Sequence, residues 1–489
     1  EPILINFYNV VELGKEYEKT HPGLFEENVE SGKGSDICLL VYTSGTSALP
    51  KGAIIPYDCL IKSISAEMEI EPWFENDDYV TYIAPAWQTE QVHGITGGLM
   101  SGCVLDFVEE PETVMTDIRE IAPQLLIFGS KLWESLASVV QAKITDTTAF
   151  KRWLYNLGMA IGYKVVDMRN AGEKVKIFWK VLGAVANLAV HRPLRDKLGF
   201  SRSRTAGTGG AYTAPDIIRL FQAIGVNITN AYGLTEHTPT ITHRTDDVRA
   251  ETIGIPLPDV DIRITNDAEI LSRGELREAL LRHTPEETKK TLDTGGWVHT
   301  GDGGFTTEDG HVVYLDRVKD LIPLKTGEKF APQYVESRLR FSQYIADAMV
   351  IAGEDKDYVT AVVVIDYDNV GRWAEKRNLA YTTYTDLSQK PEVCELVKEP
   401  IKRVNSYLPP SFRIRKFVNF HKEFDPDEAE LTRTRKLRRS FMEERYGKLI
   451  DAMYTDADKT IIEVEITYQD GRKGKLKTDV KINQLGADR

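Results

Sequence analysis

The sequence predicts an α/β protein in which a large domain with doubly wound sheets is followed by a small α+β domain. From residue 37 to about residue 230, short apolar runs alternate with segments of helical periodicity, a pattern typical of parallel sheets with crossover helices. A charged connector near residue 319 precedes strands and helices in mixed order. The 489 residues suffice for more than one domain with buried cores.

Composition narrows the function classes. The net charge of −13 and the pI near 5.4 give no support to general nucleic-acid binding. The 4 cysteines are far apart without metal-ligand spacing, as in a reducing compartment. No run approaches the roughly 20 apolar residues of a membrane span, and no secretory signal is visible. We therefore expect a cytoplasmic protein with no nucleic-acid partner. The chain starts without Met, so we also expect a fragment or a processed chain.

The first element with chemical content is the loop Tyr42–Gly52, which follows the apolar run Ile37–Val41. We expect that run to be a short buried strand. Gly45 lets the loop backbone turn so that N–H groups can converge on an anion, and Lys51 supplies a point charge suited to phosphate. Hydroxyl donors come from Thr43, Ser44, Thr46 and Ser47.

A Walker A loop is excluded, because Pro50 and Gly52 stand where glycine must precede and Ser or Thr must follow the lysine. The loop instead resembles the Y-T-S-G-T-T-G-x-P-K-G signature of the adenylate-forming enzymes, which include acyl-CoA synthetases, luciferases and peptide-synthetase adenylation domains. It departs at Ser47 and at Ala48, where glycine is usual. In that superfamily a substantial N-terminal part precedes this loop, so the resemblance implies that most of it is absent here.

The next elements are a helix over residues 57–69 and a strand over residues 79–84, which ends near Trp87. Ligands gather at the carboxyl ends of parallel strands. Trp87 has two interpretations: a core residue that caps the strand, or, as the resemblance implies, an aromatic side chain beside the acyl pocket.

A mostly helical insertion is predicted at about residues 131–200, after a strand over residues 125–130. Its start, Trp133-Glu134-Ser135, resembles long-chain acyl-CoA synthetases. The insertion is basic on an acidic protein and carries interleaved aromatic residues. It is either a solvated face of an ordinary insertion or a surface for peripheral contact with an anionic membrane.

Two glycine-containing turns follow the insertion. The first contains Gly209, Gly210 and Ala211, and alone it would be a structural turn. It resembles the superfamily's S-G-G-A-P segment, with Tyr212 in place of proline, and the resemblance implies that its backbone approaches adenine.

The second turn, Asn230–Glu236, resembles Y-G-x-T-E and includes Gly233. Tyrosine can stack on a purine and glutamate can hold Mg²⁺. The resemblance implies that Tyr232 stacks on adenine, that Thr235 contacts the α-phosphate, and that Glu236 binds Mg²⁺ together with Thr46.

A ribose site and a hinge are implied by the next two motifs. Asp302 ends a T-G-D turn, and the superfamily's aspartate there accepts both ribose hydroxyls; alone it would be an everyday turn. Arg317 and Lys319 lie in a D-R-x-K-D segment that resembles the connector between large and small domains. Arg317 would reach the ribose and Lys319 would sit at the hinge. The predicted domains are 1–316 and 317–489.

In the small domain, Gln333 lies in an A-P-Q-x-V-E stretch that resembles long-chain acyl-CoA synthetases in particular. Lys436 lies in a basic run that on charge alone is a solvated or nucleic-acid-binding face. The run resembles L-T-x-T-x-K, whose lysine swings into the site during acyl-adenylate formation. A hairpin is predicted at the end of the chain.

These motifs resemble, in order, those of a long-chain-type acyl-CoA synthetase that uses a fatty acid, ATP, Mg²⁺ and CoA. The resemblance implies a mobile small domain and transfer of the acyl group from acyl-AMP to CoA. Two alternatives stay open: transfer to a carrier-protein thiol, or a nucleotide- or acyl-binding protein without turnover. Ala48 and the absent N-terminal part favour the last alternative. It is opposed by the retention of Thr46, Glu236, Asp302, Arg317 and Lys436.

Overall fold

The computed structural model describes residues 4–43, 51–170, 174–235, 237, 240–274, 291–426, 428–431, 437–467 and 473–485. Among these residues, no helix is both long and apolar enough to cross a membrane. The sequence-predicted α/β architecture and the small α+β domain near the end of the chain are confirmed.

The first elements are two helices and a β-hairpin. They are α1 (Phe7–Thr20), α2 (Leu24–Ser31), β1 (Ile37–Thr43) and β2 (Lys51–Pro56). The prediction of a buried first strand is wrong, since Leu40 and Tyr42 are more than half exposed. Leu39 and Val41 pack on the core around Ile55 instead. An antiparallel hairpin can bury one face and leave the other exposed, whereas a central parallel strand is covered on both faces.

The central sheet has seven strands in the order β4-β3-β5-β6-β7-β8-β9. The first five are parallel to one another, and β8 and β9 are antiparallel additions at one edge. Their bounds are β3 (Asp78–Thr81), β4 (Val104–Phe107), β5 (Leu125–Gly129), β6 (Thr205–Gly209), β7 (Ile228–Tyr232), β8 (Ile241–Thr242) and β9 (Ile255–Pro256).

Strand β3 is shorter than the predicted range of residues 79–84. Thr81 pairs with Phe107, the last residue of β4, so the ladder on that side ends there. Pro85 lacks the N–H that a continued strand would need.

Helices cover the sheet and carry the insertion. They are α3 (Tyr57–Ile70), α4 (Gln88–Glu90), which continues through a π-helical turn (Gln91–Gly97) into α5 (Gly98–Ser101), α6 (Val114–Ile121), α7 (Ser130–Thr145), α8 (Ala149–Asn170), α9 (Ile177–Ala186), a second π-helical turn (Asn187–His191), α10 (Arg192–Leu198) and α11 (Pro215–Ala223). Trp133 on α7 is fully buried, and its indole N–H donates to the Gly207 carbonyl at 3.2 Å. The insertion is therefore anchored in the main core at its first helix.

A four-stranded antiparallel sheet follows: β10 (Val260–Ile264), β11 (Glu269–Gly274), β12 (Val298–Thr306) and β13 (Val312–Arg317). A short 3₁₀ turn (Val318–Asp320) and the pair β14 (Ile322–Pro323) and β15 (Lys329–Phe330) lead into α12 (Pro332–Arg340).

The small domain contains a five-stranded sheet in the order β16-β17-β18-β20-β19. Its elements are β16 (Ile345–Ile351), β17 (Val359–Ile365), α13 (Tyr367–Glu375), α14 (Tyr384–Ser388), α15 (Pro391–Ser406), a 3₁₀ turn (Pro410–Phe412), β18 (Ile414–Asn419), α16 (Arg439–Arg445), α17 (Gly447–Met453), β19 (Lys459–Thr467) and β20 (Lys473–Gln484). Every residue of β17 is buried, because apolar clusters lie on both faces of the sheet.

Candidate functional site

The two glycine-containing turns lie side by side at the carboxyl ends of neighbouring strands. Gly209 ends β6 and pairs in register with Ala231 on β7. A Cβ on Gly209 would lie 2.9 Å from the Ala231 carbonyl oxygen, so this close approach requires glycine. Gly210 has a φ of 75°, in the left-handed region that favours glycine. The backbone of Gly210 and Ala211 is thereby exposed next to Tyr232.

Three side chains from three strands, β7, β12 and β13, meet beside these turns. The Tyr232 hydroxyl donates to Asp302 Oδ2 at 2.7 Å. Arg317 Nε lies 3.0 Å from Asp302 Oδ1, because Asp302 on β12 pairs in register with Arg317 on β13. We call these residues the Tyr232–Asp302–Arg317 cluster.

The electrostatics of this cluster keep the Tyr232 phenol neutral beside a buried carboxylate. Asp302 is 3% exposed, and its backbone N–H donates to Thr300 Oγ1 at 3.0 Å. Burial and the adjacent Asp302 carboxylate raise the pKa of Tyr232 well above its usual range, so its hydroxyl remains a donor. Arg317 also donates to the Thr300 carbonyl at 3.1 Å. The Tyr232 hydroxyl and the Arg317 guanidinium thus fix the orientation of the Asp302 carboxylate.

A group of tyrosines extends from this cluster to the small domain. The ring centroids of Tyr232 and Tyr314 are 6.1 Å apart, those of Tyr314 and Tyr212 are 5.8 Å apart, and those of Tyr212 and Tyr334 are 6.4 Å apart. Tyr314 and Tyr334 were assigned no role from the sequence, and Tyr212 was mentioned only because it replaces a proline. The alternation of Tyr314 with Asp316 along one strand is a signal that could have found the first of them.

One buried carboxylate holds the connector that follows β13. Asp316 accepts from the backbone N–H of Arg317 at 2.8 Å and from that of Gln333 at 3.3 Å. Burial raises the pKa of Asp316 to about 6. Lys319 lies in the exposed 3₁₀ turn that follows. Asp316 therefore links the connector to the start of α12.

Arg338 connects α12 to α11 and to the loop between β8 and β9. Its guanidinium lies 2.5 Å from Glu251 and 3.5 Å from Asp216, and the Tyr334 hydroxyl donates to Glu251 at 3.1 Å. The Arg338 side chain is 3% exposed, and nearby Glu251 helps to raise its pKa despite the opposing cost of burial. A second ion pair, between Lys376 and Asp146, connects α13 to the end of α7.

Trp87 is not a core residue, since 62% of its surface is exposed. It is the N-cap residue of α4, close to the carboxyl end of β3. Behind it, the buried Glu90 accepts from the Tyr79 hydroxyl at 3.1 Å. The structure thus leaves the Trp87 side chain accessible at the sheet edge and excludes the core interpretation.

The predicted phosphate and metal ligands lie mostly outside the described residues. Ser44, Gly45, Thr46, Ser47, Glu236 and Lys436 are all in this group. The backbones of Thr43 and Lys51 pair in register and form the base of the loop. Thr235 follows Leu234, whose backbone N–H donates to the His237 carbonyl at 2.7 Å. In the described parts of the chain, no group of three or more His, Cys, Asp and Glu side chains is arranged to hold a metal.

Comparison with protein families matches two long segments of the chain. Residues 5–277 match the family described as AMP-binding enzyme. Residues 319–458 match the family described as AMP-binding enzyme C-terminal domain.

Curated relatives cover most of the chain at modest identity. The long-chain-fatty-acid–CoA ligase heimdall of Drosophila melanogaster is 24% identical over 471 residues, which span 86% of this chain and 69% of the relative. The long-chain-fatty-acid–CoA ligase FadD15 of Mycobacterium tuberculosis is 24% identical over 427 residues, spanning 86% of this chain and 70% of the relative.

Solved structures share the fold. The adenylation domain of a carboxylate reductase from Mycobacterium chelonae superposes with a TM-score of 0.64 at 21% identity. That match covers 87% of this chain but only 61% of the other. The anthranilate CoA ligase AuaEII in complex with anthranoyl-AMP gives a TM-score of 0.59 at 16% identity, over 86% of this chain and 68% of that one.

Proposed function

Since the chain belongs to the AMP-binding enzyme family, we propose that it activates a long-chain fatty acid with ATP and transfers the acyl group to CoA. The observation that carries the proposal is the Tyr232–Asp302–Arg317 cluster beside two glycine-containing turns. Such an arrangement offers an aromatic ring, an anchored carboxylate and exposed backbone where the carboxyl end of the central sheet meets the four-stranded sheet, as a nucleoside requires. Curated relatives that are named long-chain-fatty-acid–CoA ligases support the acyl substrate.

The nucleoside would lie against the two turns. Adenine would approach Gly209, Gly210 and Ala211 and stack on Tyr232, while Asp302 accepts both ribose hydroxyls. A carboxylate oxygen has lone pairs beyond the one that each protein donor uses, so Asp302 can hold Tyr232, Arg317 and the ribose together. Because the Asp302 carboxylate is already oriented, ATP binding costs little conformational entropy at this side chain.

The triphosphate would lie over the loop between β1 and β2. Hydroxyls of Thr43, Ser44, Thr46 and Ser47, the backbone at Gly45 and the Lys51 ammonium would bind its oxygens. Thr46 and Glu236 would hold Mg²⁺, which prefers hydroxyl and carboxylate oxygens, and the bound ion would neutralise phosphate charge. Thr235 would donate to the α-phosphate, next to Gly233.

The chemistry needs no nucleophilic side chain. A fatty-acid carboxylate oxygen would attack the α-phosphorus, the bond to the bridging oxygen would break, and pyrophosphate would leave. Lys436 would place its charge beside the oxygens that gain negative charge during this displacement. The CoA thiolate would then attack the acyl carbon, and AMP would leave with the electrons of the broken C–O bond.

The two steps would use two orientations of the small domain. We place the domains at 1–316 and 317–489, with rotation about Lys319. The acyl chain would pass the accessible Trp87 side chain. We place the protein in the cytoplasm, where ATP and CoA are available.

Pyrophosphate release from ATP and Mg²⁺, measured across a panel of fatty acids with and without CoA, tests this proposal. Wild type is compared with Lys436→Ala, and Lys448→Ala at an exposed position in the same domain is the control for a lost lysine. We expect release that depends on a long-chain acid and collapses only in Lys436→Ala, with acyl-CoA formed when CoA is present. Release with transfer to a carrier-protein thiol instead of CoA would support the carrier alternative. ATP binding without release for any acid would support a binding protein without turnover.

A further inference from the structure

The inserted helices form an antiparallel hairpin that is fixed to the body of the protein along one face only. On α8, a Cβ at Gly158 would lie 2.8 Å from Val190, and a Cβ at Gly162 would lie 2.4 Å from the Ala223 carbonyl of α11. Gly158 also accepts from His191 Nε2 at 2.9 Å through its carbonyl. These close approaches fix which face of α8 is inward. We call residues 149–198, from α8 to α10, the helical hairpin.

The outward side of the helical hairpin is unusually apolar. On α9, only Ala186 is buried. Large apolar side chains that are 45–75% exposed recur at helical spacing on α8, on α9 and on the π-helical turn that continues α9: Phe150, Trp153, Leu157, Ile177, Phe178, Val181, Val185 and Leu188. The spacing of Ile177, Val181, Val185 and Leu188 places these four on one stripe of the helical surface. A helix normally packs such a stripe against a core, so this one is a surface for contact with something else.

The same hairpin is strongly basic, although the whole chain carries a net charge of −13. It has ten basic residues against three acidic ones. The basic residues are Lys151, Arg152, Lys164, Arg169, Lys174, Lys176, Lys180, Arg192, Arg195 and Lys197, and the acidic ones are Asp167, Glu173 and Asp196. Asp167 is paired with Arg219 of the body at 2.6 Å.

The lysines flank the apolar stripes. By helical spacing, Lys164 follows Trp153 and Leu157 on the stripe of α8, and Lys176 and Lys180 border the stripe of α9. All three lysines are exposed, and in the described part of the chain no carboxylate forms an ion pair with them. Long lysine stems can lie along apolar surface while their ammonium groups reach outward.

We propose that the helical hairpin binds the surface of an anionic phospholipid membrane. Exposed aromatic and aliphatic side chains would enter the boundary between headgroups and acyl chains, and the lysines would contact lipid phosphates. A second copy of this chain fits less well, since a twofold contact would bring two basic hairpins face to face. The proposal goes beyond the catalytic one and does not depend on turnover.

Vesicle co-sedimentation of the full chain, without ATP, tests the proposal. Phosphatidylcholine vesicles with and without about 30 mol % phosphatidylglycerol are compared, because anionic lipid attracts each basic residue by about 1 kcal/mol. We expect binding to the anionic vesicles only. Raising the NaCl concentration from about 0.1 to about 1 M should weaken it, since the Debye length falls from about 10 to about 3 Å.

Two variants and two matched controls separate the apolar and charged contributions. Lys176→Glu/Lys180→Glu should lower the partition coefficient at least about 25-fold, from the roughly fivefold that one basic residue contributes. Phe178→Ser/Val181→Ser should also lower it. The charge control is Lys62→Glu/Lys448→Glu, and the apolar control is Leu99→Ser/Phe107→Ser, all at exposed positions outside the hairpin. Both controls should bind like wild type.

Several results would overturn the proposal. Absence of vesicle binding, equal binding to neutral vesicles, or hairpin variants that bind as wild type would each do so. Sedimentation velocity of the free protein gives the other outcome: self-association that the hairpin variants abolish would assign this surface to a second copy. Far-UV circular dichroism checks that the variants are folded. Their pyrophosphate release with a dispersed acid should equal that of wild type, so a failure of the catalytic proposal is detected separately.

Discussion

Replacement of Asp302 by asparagine removes one acceptor from the nucleoside site with almost no change in shape. Asp302 accepts from Tyr232 at 2.7 Å through one oxygen and lies 3.0 Å from Arg317 Nε through the other. An asparagine keeps one acceptor oxygen and places an NH₂ group where the other was. Whichever way the amide turns, one donor of the cluster faces another donor, and one ribose hydroxyl loses its acceptor.

The expected loss follows from the value of one hydrogen bond to a charged group. Such a bond contributes about 1.5–3 kcal/mol, which corresponds to a roughly 10- to 150-fold decrease in kcat/KM for ATP. The decrease should come mainly from a raised KM, because the ribose is bound in both the ground state and the transition state. Initial rates of pyrophosphate release at a saturating fatty-acid concentration give both constants.

Asp261→Asn is the matched control for this substitution. Asp261 also pairs with an arginine, Arg273, on a neighbouring strand, but its side chain is 62% exposed. We expect kcat/KM for ATP to stay within about twofold of wild type there, since exposed ion pairs contribute about 0–1 kcal/mol. Folded Asp302→Asn enzyme with an unchanged KM for ATP would refute the role of the cluster in ribose binding.

A double-mutant cycle with Tyr232→Phe tests whether the three residues act as one unit. The phenylalanine ring keeps its area for stacking but loses the donor to Asp302. If the hydroxyl serves to orient the carboxylate, its removal should cost much less in the Asp302→Asn background than in wild type. Strictly additive losses would show that Tyr232 and Asp302 contribute independently.

Three further predictions concern stability and the acyl substrate. Arg338→Met should destabilise the protein by about 3–5 kcal/mol, because it leaves the mostly buried Asp216 carboxylate without its ion-pair partner. Arg338→Met/Asp216→Leu should recover part of the lost thermal stability. An unchanged melting temperature in the single variant would contradict this role. Because the folded pKa of Asp316 is raised to about 6, above the unfolded value, its contribution to stability should fall as the pH rises from about 4 to about 6, by roughly 3 kcal/mol. In urea unfolding Asp316→Asn should flatten that pH dependence, and an unaltered slope would refute the assignment. Trp87→Ala should change KM for the fatty acid at least several-fold and leave KM for ATP unchanged, whereas equal effects on both would place Trp87 outside the acyl path.

Much of the fold follows from local sequence patterns. The alternation of apolar runs with helical segments predicted the parallel strands β3, β5, β6 and β7, because both signals are local and periodic, whereas the short strand β4 was not predicted. The burial of β1 was not predictable in this way. Leu40 and Tyr42 are exposed because β1 pairs with β2 and not with the central sheet, and a choice of pairing partner is not a local property.

In the candidate site too, local motifs predicted individual residues but not the contacts between them. Tyr232, Asp302 and Arg317 were each marked by a motif, but their contact depends on the register between β12 and β13 and on the position of β7. Arg338 carried no motif, and its buried pairing with α11 and with the loop between β8 and β9 arises from tertiary packing alone. Tyr314 was missed for the same reason.

Direct detection of the acyl-adenylate is the most decisive measurement on the proposed chemistry. The protein is mixed with a long-chain fatty acid, ATP and Mg²⁺, quenched within one turnover and analysed by mass spectrometry, and a second sample receives CoA before the quench. We expect acyl-AMP at up to one equivalent per protein in the first sample, and its replacement by acyl-CoA and AMP in the second. ATP bound at the site with no acyl-AMP from any fatty acid, in protein that is folded, would contradict the proposed activity.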